Sequence, residues 1–233
     1  MKYMGSKNRI AKEILPIILK DRKEGQCYVE PFVGGCNIID KVKGHRIGSD
    51  INEYVIALFK GIQDGFVPPD KVTELEYSIA RRDMKVDALT AFIGFGCSYS
   101  GKWFGGYARG RTSSGANRNY CLESKKNILA QKKGLEGVEL HACSYLDIEL
   151  YIPDNSLIYC DPPYAGTTGY KDKFNSLYFH NWCRRMRLKG HTVFVSEYNM
   201  PEDFICVWSK EVTSSLTADT GSKKAVERLF TLC

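Results

Sequence analysis

The chain of 233 residues has little of what several function classes require. It holds only four histidines, and its nine cysteines include no C-x-x-C pair, so no tetrahedral zinc site has its usual spacing. An odd number of cysteines cannot pair fully. Reduced thiols are expected, with Cys160 and Cys206 inside apolar runs as small buried hydrophobes. No run approaches the roughly 20 apolar residues needed to cross a bilayer, and no signal-type apolar stretch follows Met1 to Arg9. The expected setting is the cytoplasm. No internal repeat or low-complexity tail is found, nor a Cys-His or Ser-His-Asp constellation suggesting a covalent nucleophile.

What is present is an ordinary globular composition, 43% hydrophobic and 26% charged, long enough for one sizeable core. The net charge of +6 is modest, but it is concentrated. Between Arg81 and Lys133 stand eleven lysines and arginines against three acidic residues, a surplus of +8 that leaves the remainder at −2. This stretch becomes Gly-, Ser- and Arg-rich from Gly94 to Asn119, which reads as an insertion carrying a binding surface.

Outside it, short apolar runs alternate with helical periodicity. A helix is expected over Ser6 to Lys20, and a strand Cys27 to Glu30 stops at Pro31 and a Gly-Gly pair. A strand Arg46 to Gly48 ends at Ser49-Asp50 and is followed by a helix from Tyr54 to Ile62. Strand Ser156 to Cys160 is cut off by Asp161-Pro162-Pro163, since proline cannot donate to a ladder. Helix Ser176 to Leu188, strand Thr192 to Ser196 and two further strands, Phe204 to Val207 and Arg228 to Leu232, complete the pattern. Strands alternating with helices predict an α/β fold: a Rossmann-like, doubly wound, mostly parallel sheet with ligands at the carboxyl ends of its strands.

The chemistry-bearing residues fall at those ends. Asp161-Pro162-Pro163-Tyr164 follows a buried strand, and two prolines hold a rigid turn from which the Pro162 carbonyl can point outward. An aryl amine becomes nucleophilic as its nitrogen moves toward tetrahedral geometry. The Asp161 carboxylate and Pro162 carbonyl are two acceptors suited to its two hydrogens, and Tyr164 is a flat face for an extruded base. The second signal is Glu30-Pro31-Phe32-Val33-Gly34-Gly35, where glycine permits close approach to a ligand, with Asp50 placed to accept from a ribose hydroxyl. In the basic stretch Lys102, Arg109, Arg111 and Arg118 interleave with Tyr99, Trp103, Phe104 and Tyr107. That suits phosphate contacts and base recognition in DNA, the aromatics serving either as wedges or as a small local core.

In order, Lys2-Tyr3-Met4-Gly5-Ser6-Lys7, Glu30 to Gly35, Asp50, Asp161 to Tyr164 and Ser196-Glu197-Tyr198 resemble the motifs of the Dam-type N6-adenine DNA methyltransferases of bacteria and phages. The resemblance spans nearly the whole chain. It implies the S-adenosylmethionine-dependent methyltransferase fold, with residues 1–80 and 134–233 as the catalytic domain and 81–133 as an inserted target-recognition subdomain. It implies S-adenosylmethionine as methyl donor without a metal, double-stranded DNA as substrate, and a flipped adenine as methyl acceptor. Tyr3, Lys7, Asp50 and Asp161 would line the cofactor site, shaped by Glu30, Phe32 and Gly34. Without the family, Lys7 would read as a solvated lysine and Tyr3 as a surface aromatic.

Two positions depart from the pattern. Cys36 stands where a further glycine is common, and Ser144-Tyr145 replaces an Asp-Phe pair near the cofactor's adenine, with Asp147 an alternative polar partner. The residues alone also suit N4 of cytosine, an amine in RNA, or a non-catalytic nucleic-acid-binding module. A protein-glutamine methyltransferase would call for Asn in place of Asp161. A monomer is expected, with any restriction endonuclease acting separately.

Overall fold

The computed structural model describes residues 1–163, 174–213 and 224–232. One sheet contains β1 (Tyr28–Glu30), β2 (Arg46–Asp50), β3 (Val138–Ala142), β4 (Leu157–Cys160), β5 (Thr192–Glu197), β6 (Phe204–Thr213) and β7 (Lys224–Leu232). Its order is β3-β2-β1-β4-β5-β7-β6. The first five strands are mutually parallel, and β7 runs antiparallel between β5 and β6.

β1 and β4 are buried at every residue, as expected of parallel strands covered on both faces. Period-two alternation sends Tyr28, Leu157 and Tyr159 to one face and Val29, Ile158 and Cys160 to the other. The first face packs on α1 (Ala11–Ile18), α2 (Glu53–Gln63), α4 (Ala88–Gly96) and α5 (Tyr120–Leu129). The second is covered by α7 (Ser176–Leu188) through Phe179, Trp182 and Met186. Two further α-helices, α3 (Glu74–Asp83) and the single-turn α6 (Lys132–Leu135), complete the set among the described residues. The fold is mixed α/β with a mostly parallel sheet, as predicted.

The structure also revises several local expectations. The first helix is shorter than Ser6 to Lys20, because Lys7–Arg9 forms a separate, tighter turn and α1 runs only from Ala11 to Ile18, with Pro16 inside it. Strand β3 went unrecognised in the sequence. β6 extends to Thr213 as an exposed edge strand, and on it Cys206 is exposed rather than buried. Gly94 and Gly96 lie in a helix, not a loop: α4 is buried from Thr90 to Gly96, and a side chain on Gly94 would meet the Trp103 ring at 2.3 Å. The glycines make room for aromatics. Trp103 packs against Tyr54 and Phe95 with ring centroids 4.4 and 4.6 Å apart, and Phe104 against Tyr77 at 5.2 Å. Part of the basic stretch thus shares the main core.

Candidate active site

The strand order reverses between β1 and β4, and the carboxyl ends of β1, β2 and β4 lead into Glu30, Asp50 and Asp161. Lys7 reaches this crevice from the N-terminal segment. Its side chain is only 7% exposed, with Nζ 3.0 Å from Asp161 Oδ1 and 3.6 Å from Glu227 Oε2. The solvated-lysine alternative is therefore excluded. Burial works against the Lys7 ammonium, yet Asp161 and Glu227 outweigh it and hold its pKa above the ordinary lysine value. For Asp161 the balance differs. Burial pushes its pKa up to about 6, against the pull of Lys7, because this carboxylate has one cation beside it and the like charge of Glu227 nearby. Pro162 is buried next to it, and Tyr164 lies outside the described residues.

Asp50 joins two motifs in a way the sequence did not reveal. Its Oδ2 accepts from the Gly34 N–H at 2.9 Å and its Oδ1 from the Asn52 N–H at 2.9 Å, tying the glycine turn to the end of β2. Burial raises its pKa despite these two donors. The glycine turn, in turn, is roofed by Tyr3: a side chain on Gly34 would meet that ring at 2.8 Å, and one on Gly35 would meet Tyr3 Cβ at 2.7 Å. Tyr3 at both positions, Asn37 Nδ2 at 2.5 Å from a side chain on Gly35, and φ 44° at Gly34 together require glycine here. Cys36 adopts φ 52°, a left-handed conformation costing roughly 1 kcal/mol for a non-glycine residue, at the position where the resemblance expected glycine. Glu30 is buried beneath, accepts from the Tyr28 hydroxyl at 3.2 Å, and is driven strongly toward its neutral form by burial.

Phe32 and Tyr145 stack with centroids 5.5 Å apart, backed by Phe179, which meets both edge-on at 5.6 Å. Both rings are half-buried and form an aromatic wall beside the crevice. Asp147, the alternative polar partner, instead receives the Ser144 hydroxyl at 2.6 Å.

The basic residues divide by partner. Arg109 pairs with Glu74, and Arg118 pairs with Glu123 through two bonds of 2.6 and 2.8 Å while lying over the Tyr120 ring. Lys102 and Arg111 are exposed and have no ion-pair partner among the described residues. Tyr99, 66% exposed, lines a cleft with Lys2, Phe95, Arg118 and Tyr120, whereas Trp103 and Phe104 serve the core. Glu227 was missed because a single glutamate in a strand carries no motif. No metal-binding cluster of His, Cys, Asp or Glu occurs among the described residues, and none of their helices is long and apolar enough to cross a membrane.

Comparison with known proteins identifies the family. Residues 3–87 and 104–216 match the family described as D12 class N6 adenine-specific DNA methyltransferase. The chain is also similar to the type II methyltransferase M.MjaIII of Methanocaldococcus jannaschii, with 25% identity over 197 residues covering 70% of this chain and 68% of that protein.

Proposed function

The chain belongs to the D12 class of N6 adenine-specific DNA methyltransferases, and from that premise we propose how its residues divide the work of methylating adenine N6. The observation that carries the proposal is the 3.0 Å pair between Lys7 and Asp161, which joins the N-terminal motif to the tetrapeptide after β4. Asp161 and the Pro162 carbonyl accept the two amine hydrogens of a flipped adenine, and Tyr164 supplies its stacking face. As the nitrogen turns tetrahedral its lone pair forms the new N–C bond and the donor's C–S bond breaks. The surplus proton then leaves the nitrogen by way of the Asp161 carboxylate. No covalent bond to the protein is needed.

The residues fit S-adenosylmethionine as donor. Asp50 is a buried carboxylate with lone pairs to spare for a ribose hydroxyl, Phe32 and Tyr145 form a flat wall suited to a purine, and Asp161 offers negative charge to a cation. S-adenosylmethionine, when bound, supplies an electrophilic methyl group on a sulfonium sulfur. Tyr3, Glu30 and Gly34 shape the site, and Lys7 fixes the orientation of Asp161.

We assign double-stranded DNA to the face formed by residues 81–133, with Lys102, Arg109, Arg111 and Arg118 toward it and 1–80 with 134–233 as the catalytic part. Supporting this are the charge surplus and the exposure of Lys102 and Arg111. The chain acts as a monomer in the cytoplasm, and the likeness to a type II methyltransferase suggests a restriction endonuclease as a separate protein. The test is transfer of a labelled methyl group into duplex DNA, with nucleoside analysis of the product and sequencing to map the target. Label on N4 of cytosine, or none, would refute the assignment.

A further inference from the structure

Lys7 serves two carboxylates, and the proposed chemistry above uses only one of them. Glu227 Oε2 stands 3.6 Å from Lys7 Nζ, and its side chain is 15% exposed. The topology puts it there. β7 inserts antiparallel beside β5, pairing Arg228 with Glu197, so the residue preceding Arg228 lies beyond the carboxyl end of β5, at the rim that carries Asp161. Arg228 holds that register by donating from Nη1 to the Tyr198 carbonyl and, at 3.1 Å, to Asn199 Oδ1. Glu227 is therefore anchored by its neighbour, independently of Lys7.

The charges define a task. Lys7 with Asp161 alone is a neutral pair, whose ammonium would repel any cation drawn to the carboxylate. With Glu227 included, one ammonium is shared by two carboxylates, so the positive charge of Lys7 is no longer matched by Asp161 alone. Methyl transfer keeps a single positive charge in the site, moving it from the sulfonium sulfur of the donor to the amine nitrogen of the acceptor.

We propose that Glu227 is a positioning residue that holds and neutralises Lys7, leaving the charge of Asp161 free to act on the cationic methyl donor and the amine that becomes cationic. This rests on the reading of Asp161 as the amine-binding residue beside the cofactor. The raised pKa of Lys7, with both carboxylates contributing, agrees with the shared arrangement.

The proposal is tested by comparing two ligands that differ in charge at sulfur. Calorimetric titration of the full chain at pH 8 with S-adenosylmethionine, a sulfonium, and with S-adenosylhomocysteine, a neutral thioether, gives their affinity ratio. Glu227→Gln and the isosteric apolar Glu227→Met should weaken S-adenosylmethionine on the order of tenfold, as expected for loss of one charge in a partly buried site. Binding of S-adenosylhomocysteine should change little, and Glu227→Asp should restore most of the preference.

Equal losses for both ligands, no loss for either, or failure of both neutral variants to fold would overturn the proposal and leave Glu227 a structural residue. Wild-type protein that bound neither ligand would overturn the cofactor assignment itself. Wild-type protein that bound and methylated normally, with the ratio unaltered in the variants, would overturn only the role of Glu227.

Discussion

Asp161 can stabilise the amine as it becomes cationic and take its surplus proton only as a carboxylate, so methyl transfer should have an acid limb set by its pKa. An exposed aspartate would stay ionised down to about pH 4. Burial moves Asp161 to about 6, with Lys7 pulling the other way. The group is protonated below that value, so activity is lost as pH falls through about 6 and is level above it. Two units lower in pH leaves roughly a tenth of the ionised form at pH 5 compared with pH 7, and each further unit costs about another tenfold.

The assay is kcat/KM for S-adenosylmethionine between pH 4.5 and 8.5 at constant ionic strength, which reports the cofactor-free enzyme. Circular dichroism at each pH separates titration from unfolding. Lys7→Met should move the limb upward, because an opposite charge at this distance typically holds a carboxyl down by about 1 to 3 units. A limb near pH 4, or one unmoved by Lys7→Met, would refute the argument that Asp161 acts as a buried carboxylate balanced by Lys7.

Asp50→Ala should weaken S-adenosylmethionine binding in calorimetry with DNA affinity retained. It should also lower stability to urea by about 1 to 3 kcal/mol, because the Gly34 and Asn52 N–H groups lose their acceptor; unchanged cofactor affinity would remove it from the site. Gly34→Ala should destabilise the chain by more than about 1 kcal/mol, from the clash with Tyr3 and the strain at φ 44°, and wild-type stability in denaturant would contradict that geometry. On DNA, Arg111→Ala should reduce the slope of log affinity against log salt by roughly one if Arg111 meets a phosphate. Arg118→Ala, starting from an existing pair with Glu123, should reduce it less; equal slopes in wild type and both variants would place the DNA elsewhere.

How far the sequence could be read follows from what each element buries. β1, β4 and β5 were legible because parallel strands covered on both faces are apolar runs closed by proline, glycine or polar turns. β3 alternates instead, with Val138 and Leu140 buried and Glu139 exposed, as befits an edge strand. α3 is marked locally by Thr73-x-x-Glu76, the capping box at its start. α4 was hidden because Gly94 and Gly96 read as loop, and only the tertiary packing of Trp103 and Phe92 explains them. Within the site, Asp161, Asp50 and Lys7 were marked by motifs. The partnerships of Asp50 with Gly34, and of Lys7 with Glu227, depend on strand order and an antiparallel insertion that no local pattern encodes.

The most direct test of the account is single-turnover methyl transfer from labelled S-adenosylmethionine into duplex DNA by wild type and Asp161→Ala, with digestion to nucleosides and DNA binding measured in parallel. The wild type should place the label on N6 of adenine. The variant should bind DNA with little change and transfer about 10²- to 10³-fold more slowly, the usual effect of losing one preorganised transition-state partner. Near wild-type transfer by Asp161→Ala, or label recovered on a base other than adenine, would contradict it.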